Sequence, residues 1–131
     1  MNREQALALW DSMTTEEKTI AIAEKVMGWQ RKEAIGYYDG DKLMAYGFFW
    51  SPTTDIVAFW QVVEKMRSYG RQYQWALIVE PWVDAYFSFV GFHYHFSAKV
   101  HRCRAEWSDG MQGFCEAGCK AAWLAVMEEK E

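Results

Sequence analysis

Apolar side chains recur every three or four positions over the first quarter of the chain, and then the period changes. Ala6, Leu9, Trp10 and Met13 share one helical face, which predicts a helix over residues 2–13. Thr14 and Glu17 form a capping box that opens a second helix. Ile20, Ala23 and Met27 give its apolar face, widened by Ile22 and Val26, and Gly28 ends it. Trp29 is expected to fold back on the helix end. Residues 30–33 are polar and read as a loop. Residues 35–38 and 43–50 read as two strands around Asp39-Gly40-Asp41-Lys42, because Asp-Gly suits the positive φ of a tight hairpin.

The stretch 50–66 organises the rest. Ser51 or Thr53 can cap a helix, its side-chain oxygen accepting from a free N–H of the first turn. With Ser51 as cap, Pro52 takes the first helical position, where its missing N–H costs nothing. Asp55 places negative charge at the positive end of the helix dipole. Ile56, Phe59, Trp60, Val63 and Met66 fall at helical spacing and predict the buried stripe. Gln61, Glu64, Lys65 and Arg67 lie off it, and Gly70 is the stop.

After Gly70 the pattern turns to strands. Residues 75–80 are a continuous apolar run of strand length, broken by Pro81. Residues 82–90 are aromatic-rich and strand-like, and Gly91 marks a turn or bulge. Residues 92–103 alternate cleanly: Phe92, Tyr94, Phe96, Ala98 and Val100 on one parity, His93, His95, Ser97, Lys99, His101 and Cys103 on the other. A short strand over 104–107 follows. Ser108-Asp109-Gly110 then caps a last helix that runs to about residue 128, with Phe114, Gly118, Ala121 and Ala125 as its stripe, Glu116, Lys120 and Glu128 on its wet face and Trp123 near that face. Strands joined by short turns pair antiparallel. The expected fold is therefore α+β, a helix–sheet–helix layered sandwich with a mainly antiparallel sheet.

Composition narrows the function classes. At 131 residues the chain is expected to form a single domain, 1–131, with residues 1–14 as an N-terminal helical extension. Hydrophobic residues make up 51%, too many for a disordered chain. No apolar run approaches membrane-spanning length and residues 1–4 do not read as a leader, so no membrane partner is expected. A net charge of -4 argues against broad nucleic-acid binding. Three Cys in such a chain suggest reduced thiols. Aromatic residues reach 18%, including 8 Trp, more rings than a small interior absorbs. Some are expected at a surface for self-association or ligand binding.

Glu24-Lys25-Val26-Met27-Gly28-Trp29 and Trp50-Ser51-Pro52-Thr53-Thr54-Asp55-Ile56, followed by Phe59-Trp60 and Val62-Val63-Glu64-Lys65-Met66, resemble the phage ABA-sandwich domain family. The tail Cys115-Glu116-Ala117-Gly118-Cys119-Lys120-Ala121-Ala122-Trp123-Leu124-Ala125 is similar to that family's closing helix. The resemblance runs from about Thr15 onward and departs at residues 81–94, where the family takes a shorter turn. It implies a helix–sheet–helix sandwich in a small phage or prophage protein, acting in the cytoplasm of a bacterial host. It implies no activity.

The candidate chemistry is sparse. The free N–H groups at the helix start, with Trp50, Ser51, Thr53 and Thr54, are a candidate anion site, although Asp55 already occupies the dipole. Lys99, His101, Arg102 and Arg104 form a small basic patch that, with Trp82, Tyr94 and Trp107, could hold a nucleotide-sized anion by charge and stacking. Its alternative is an ordinary solvated strand edge. His93 and His95 stand side by side on one strand face in a geometry used by metal sites, but His101 would lie about 20 Å away along an extended strand. Cys115 and Cys119, one turn apart among Gly and Ala, read as buried structural thiols. No nucleophile elbow, phosphate-binding loop or dinucleotide fingerprint occurs.

The leading expectation is a non-enzymatic binding module without a cofactor, homo-oligomeric through its aromatic surface. It would bind a host protein or sequester a small anionic, nucleotide-type host defence signal. The alternatives are a structural or oligomerisation module with no ligand, and a metal-dependent hydrolase built on His93 and His95.

Overall fold

The computed structural model describes residues 2–32, 36–47, 49–68, 75–81, 88–94, 102–107 and 110–129, with side chains for those up to 68 and for 113–127. Helix α1 (Arg3–Ser12) starts at Asn2, whose side chain accepts from the Gln5 N–H while the Gln5 side chain accepts from the Asn2 N–H. Helix α2 (Thr15–Ala21) opens with the expected Thr14–Glu17 box. It widens into one π-helical segment, Ile22–Val26, in which the Met27 N–H donates to the Ile22 carbonyl. Gly28, at φ 73°, then reverses the chain, and the Trp29 N–H donates to the Ala23 carbonyl. Only a residue without a Cβ holds that φ cheaply.

The hairpin forms as expected: β2 (Gly36–Asp39) and β3 (Lys42–Tyr46) pair antiparallel around Gly40 at φ 62°. Residues read as loop form a third strand instead, β1 (Gln30–Lys32), antiparallel to β2. All three of its residues are exposed. A polar sequence on a sheet edge hides the strand and also guards it from edge pairing. Strand β3 ends at Tyr46 rather than at Trp50, because the Phe49 and Trp50 N–H groups both fold back onto the Tyr46 carbonyl.

Helix α3 (Ile56–Ser68) begins later than expected. Asp55 is its cap: the carboxylate accepts from the Val57 N–H and the carbonyl from the Phe59 N–H. Ser51 instead closes the turn before it, its carbonyl accepting from Thr54 and Asp55. The buried stripe is also rotated. Ala58, Phe59, Val62, Val63 and Met66 face inward, while Ile56 and Trp60 are exposed. Seven of the residues from 56 to 63 are apolar, so periodicity alone leaves the buried face undefined there.

Strands β4 (Trp75–Pro81), β5 (Ser88–Tyr94) and β6 (Arg102–Trp107) make a second antiparallel sheet in the order β4-β5-β6. The single strand expected over 92–103 is thus two strands. Alternation continues across a chain reversal, so the pattern did not betray it, and residues 95–101 lie outside the described ones. Gly91 is not a turn; it sits mid-strand opposite both Ile78 and Arg104.

Helix α4 (Gly110–Glu129) is the centre of the molecule. It packs on β5 and β6 on one side and on α1, α3 and the π segment elsewhere, while α3 covers β4. Cys115, Ala117, Cys119 and the run from Ala121 to Val126 are all buried, the mark of a helix surrounded by protein. Small residues permit that crowding: a Cβ on Gly118 would collide with the Phe59 ring of α3. Trp123, placed near the wet face by sequence, is buried against Trp10 with ring centroids 5.5 Å apart. Glu116 faces inward enough to accept from the Trp10 indole N–H at 2.9 Å and pair with Lys18 at 2.8 Å. Leu9, expected in the α1 stripe, is exposed. The fold is α+β with antiparallel sheets, as the pattern implied.

Candidate functional site

The outward face of α3 is the wall of a groove of about 770 Å³. Ile56, Val57, Trp60, Gln61, Glu64, Lys65 and Ser68 line it from one end of the helix to the other, a run of about 18 Å. The facing wall comes from Met27 and Trp29 after the π segment and from Asp39 and Met44 on the hairpin. The half near the start of α3 is apolar and open to solvent: Val57 is 70% exposed and Trp60 50%. The half toward Ser68 carries charge of both signs, Glu64 and Lys65.

A buried aromatic cluster sets the wall. Trp29 packs against Trp50 with ring centroids 4.9 Å apart and planes inclined at 54°, and Tyr37 meets the Trp50 ring edge-on at 5.7 Å. The Trp50 indole N–H donates to the Gln61 side-chain oxygen at 2.6 Å, tying the turn before α3 to the helix itself. Burial pushes the Tyr37 phenol up from its ordinary value, with Glu16 and Glu24 adding to the rise against the opposing pull of Arg31.

The first half of the sequence-derived site therefore lies behind the groove as support. Trp50 is buried, and Ser51 and Thr54 hydrogen bond to each other at 2.7 Å. Thr53 is 2% exposed and its hydroxyl has no partner among the described residues. The Asp55 carboxylate fills the helix start that was considered for an anion. Of the second half, Trp82, Lys99 and His101 lie outside the described residues, as does the metal candidate His95. The backbone register sets Arg102 opposite His93, Arg104 opposite Gly91, Trp107 opposite Ser88 and Tyr94 opposite Trp75. A single extended strand would have held residues 93 and 102 about 30 Å apart; the hairpin makes them neighbours.

The thiols of α4 are not available as nucleophiles. Burial pushes Cys119 well above the ordinary thiol value, with Cys115 and Glu116 adding to it, and burial also raises Cys115. Sequence reasoning named none of the groove-lining residues as a site; it read Ile56 and Trp60 as core and passed over Met44 and Val57. Val57 had a signal in the Ile-Val pair that exceeds one stripe; Met27 and Met44 had none, because their place at the groove depends on how the hairpin docks.

The family model of the phage ABA sandwich domain matches residues 20–123. Among solved structures, the chain is similar to a phage protein from Bacillus cereus ATCC 14579, known from a 2.0 Å crystal structure. The two are 21% identical, with a TM-score of 0.56 over 89% of this chain and 90% of that one, a likeness of fold. The chain matches no curated protein.

Proposed function

The chain belongs to the phage ABA sandwich domain family, and from that premise we propose that it is a non-enzymatic phage accessory protein that works by docking a protein surface along α3. The groove carries this reading. It is largely apolar, it runs the length of a helix, and its most exposed apolar lining residues are Val57 and Trp60. Single exposed apolar side chains are ordinary on a monomer, but a contiguous apolar patch that lines a groove marks an interaction surface. Among the described residues no helix is long and apolar enough to cross a membrane, and we place the docking event in the cytoplasm of the bacterial host.

Site-specific photo-crosslinking in expressing host cells tests the reading. A photoreactive residue at position 57 is expected to give a discrete adduct, whereas one at Glu24, on the exposed side of the π segment, gives none. Equal labelling at both positions, or none at position 57, refutes docking through the groove.

A second reading, sequestration of a nucleotide-type anion, is favoured by the β5–β6 register. That register gathers Arg102, Arg104 and His93 on adjacent strands. Calorimetric titration with a nucleotide panel tests it: binding lost in Arg102→Ala and Arg104→Ala supports it, and no heat from the wild-type protein removes it.

A further inference from the structure

We infer that one face of the second sheet binds a guanine mononucleotide, its phosphate at the end that gathers His93, Arg102 and Arg104 and its base at the end that gathers Glu80, Phe89 and Glu106. The inference rests on the anion-sequestration reading above and names the ligand.

Residues paired across an antiparallel sheet share a face, and the face alternates along each strand. The register of β4, β5 and β6 therefore sorts their residues into two sets. One set places Leu77 beside Phe92 and Cys103, and Val79 beside Val90 and Ala105. The other places His93 beside Arg102, Gly91 beside Arg104, and Phe89 between Glu80 and Glu106. The first face is apolar and the second carries nearly all the charge. Tyr94 and Trp107 fall with the apolar set, away from the basic residues they were expected to accompany. The aromatic residue that shares the basic face is Phe89.

The helices cover only one of these faces. Among the described residues, the elements packed on this sheet are α3, over β4, and α4, over β5 and β6. Two helices on opposite faces of a sheet stand about 20 Å apart, a helix diameter to either side. Helices α3 and α4 instead meet closely enough for Phe59 to occupy the space beside Gly118, so both lie on the same face. A helix layer belongs on the apolar face of a sheet. The charged face is left without a described layer over it.

The order of residues on that face selects the ligand. Successive same-face rows along a strand are about 7 Å apart, and neighbouring strands about 4.8 Å. Arg102, Arg104 and His93 concentrate at one end the donors that take a phosphate. Gly91 follows in the middle of the central strand. It has no side chain to raise the floor, and a ligand can lie close to the backbone there. About 7 Å beyond the Arg104 row comes Phe89, a π-face on which a base can stack, with a carboxylate residue on the strand to either side. Carboxylates only accept hydrogen bonds, so the base edge at this end must supply donors. Guanine presents two side by side, its N1–H and its amino group, whereas adenine and cytosine present only an amino group and uracil an imide N–H. A nucleic-acid strand fits poorly, because its next phosphate would run toward Glu80 and Glu106 and the chain's net charge of -4 opposes a polyanion.

Isothermal titration of the whole chain with the monophosphates of guanosine, adenosine, cytidine and uridine tests the inference. Guanosine monophosphate is expected to bind at least about 10-fold more tightly than the other three, the scale of one bidentate base contact. Glu80→Gln with Glu106→Gln should abolish that preference, while adenosine monophosphate binds no more weakly than before. Arg102→Ala with Arg104→Ala should abolish binding of all four, with the circular dichroism of the wild type retained. A wild-type protein that binds the four alike overturns the inference and leaves anion sequestration standing, and so does a guanine preference that survives both Gln replacements. No heat with any of the four removes both, and docking along α3 then rests on its own test.

Discussion

Gly118→Ala is the sharpest test of how closely α3 and α4 pack. The added methyl would fall within the van der Waals envelope of the Phe59 ring. That ring is fully buried and rests edge-on against Phe114, with centroids 5.4 Å apart. Clearing the clash requires a ring or helix shift of an ångström or more in a close-packed interior. Over-packing of this kind costs about 1–3 kcal/mol, and a collision with an immobilised ring belongs at the upper end. Replacing Gly by Ala inside a helix returns about 1 kcal/mol. The net expectation is a loss of about 2 kcal/mol. In urea, with a slope near 2 kcal/mol/M, the midpoint should fall by about 1 M without a change in slope. A double-mutant cycle localises the cause. Phe59→Leu should cost about 1 kcal/mol less in the Gly118→Ala background than in the wild type, because the smaller side chain makes room for the methyl. If Gly118→Ala is as stable as the wild type, or more so, the helices do not approach in the way described.

Four further substitutions probe the turn and the core. Asp55→Ala should destabilise the protein by about 1 kcal/mol in urea denaturation, while Ser51→Ala stays within about 0.5 kcal/mol; equal effects would return the capping role to Ser51. Thr53→Val should stabilise by about 1 kcal/mol, since it removes a buried hydroxyl without a partner and keeps the side-chain shape; a loss of stability would mean that the hydroxyl is satisfied in solution. The Cys119 thiol is raised by burial, so the folded state keeps its proton where the unfolded chain, with a thiol near 8.5, has released it. Its contribution is complete below about pH 8.5 and is lost as pH rises toward the folded value. Between those limits the wild type should lose up to about 1.4 kcal/mol per pH unit more than Cys119→Ala; parallel stability profiles of the two proteins would refute this.

The chain stated its local rules plainly. Thr14–Glu17, Gly28 and Asp-Gly at 39–40 are short-range devices whose chemistry is complete within a few residues, and all of them form. The misreadings share a different cause. Strand β1 has no apolar face to announce it, because a three-residue polar edge is defined only by its neighbour. The reversal between β5 and β6 preserves the two-residue period, so alternation cannot separate one long strand from a hairpin. The buried face of α3 is chosen by α4, through Phe59 on Gly118, and not by α3's own sequence. Each of these depends on a partner distant along the chain.

The same reasoning explains why the candidate site moved. Trp50, Ser51, Thr53 and Thr54 looked functional because a polar, aromatic turn at a helix start has the ingredients of an anion site. Apart from the Thr53 hydroxyl, those ingredients are consumed internally. The Trp50 N–H goes to Gln61, Ser51 and Thr54 bond to each other, and Asp55 supplies the negative charge that a ligand would otherwise bring. The turn spends its polar groups on fixing α3, and fixing α3 turns Val57 and Trp60 outward. The apolar surplus seen in the composition divides accordingly. Among the described side chains, Trp10, Trp29, Trp50 and Trp123 close the interior, and Trp60, with Phe49, is left at the surface. With the polar groups of the turn spent on the fold, the α3 groove that Trp60 lines, rather than the turn beneath it, is where the proposed docking is to be tested.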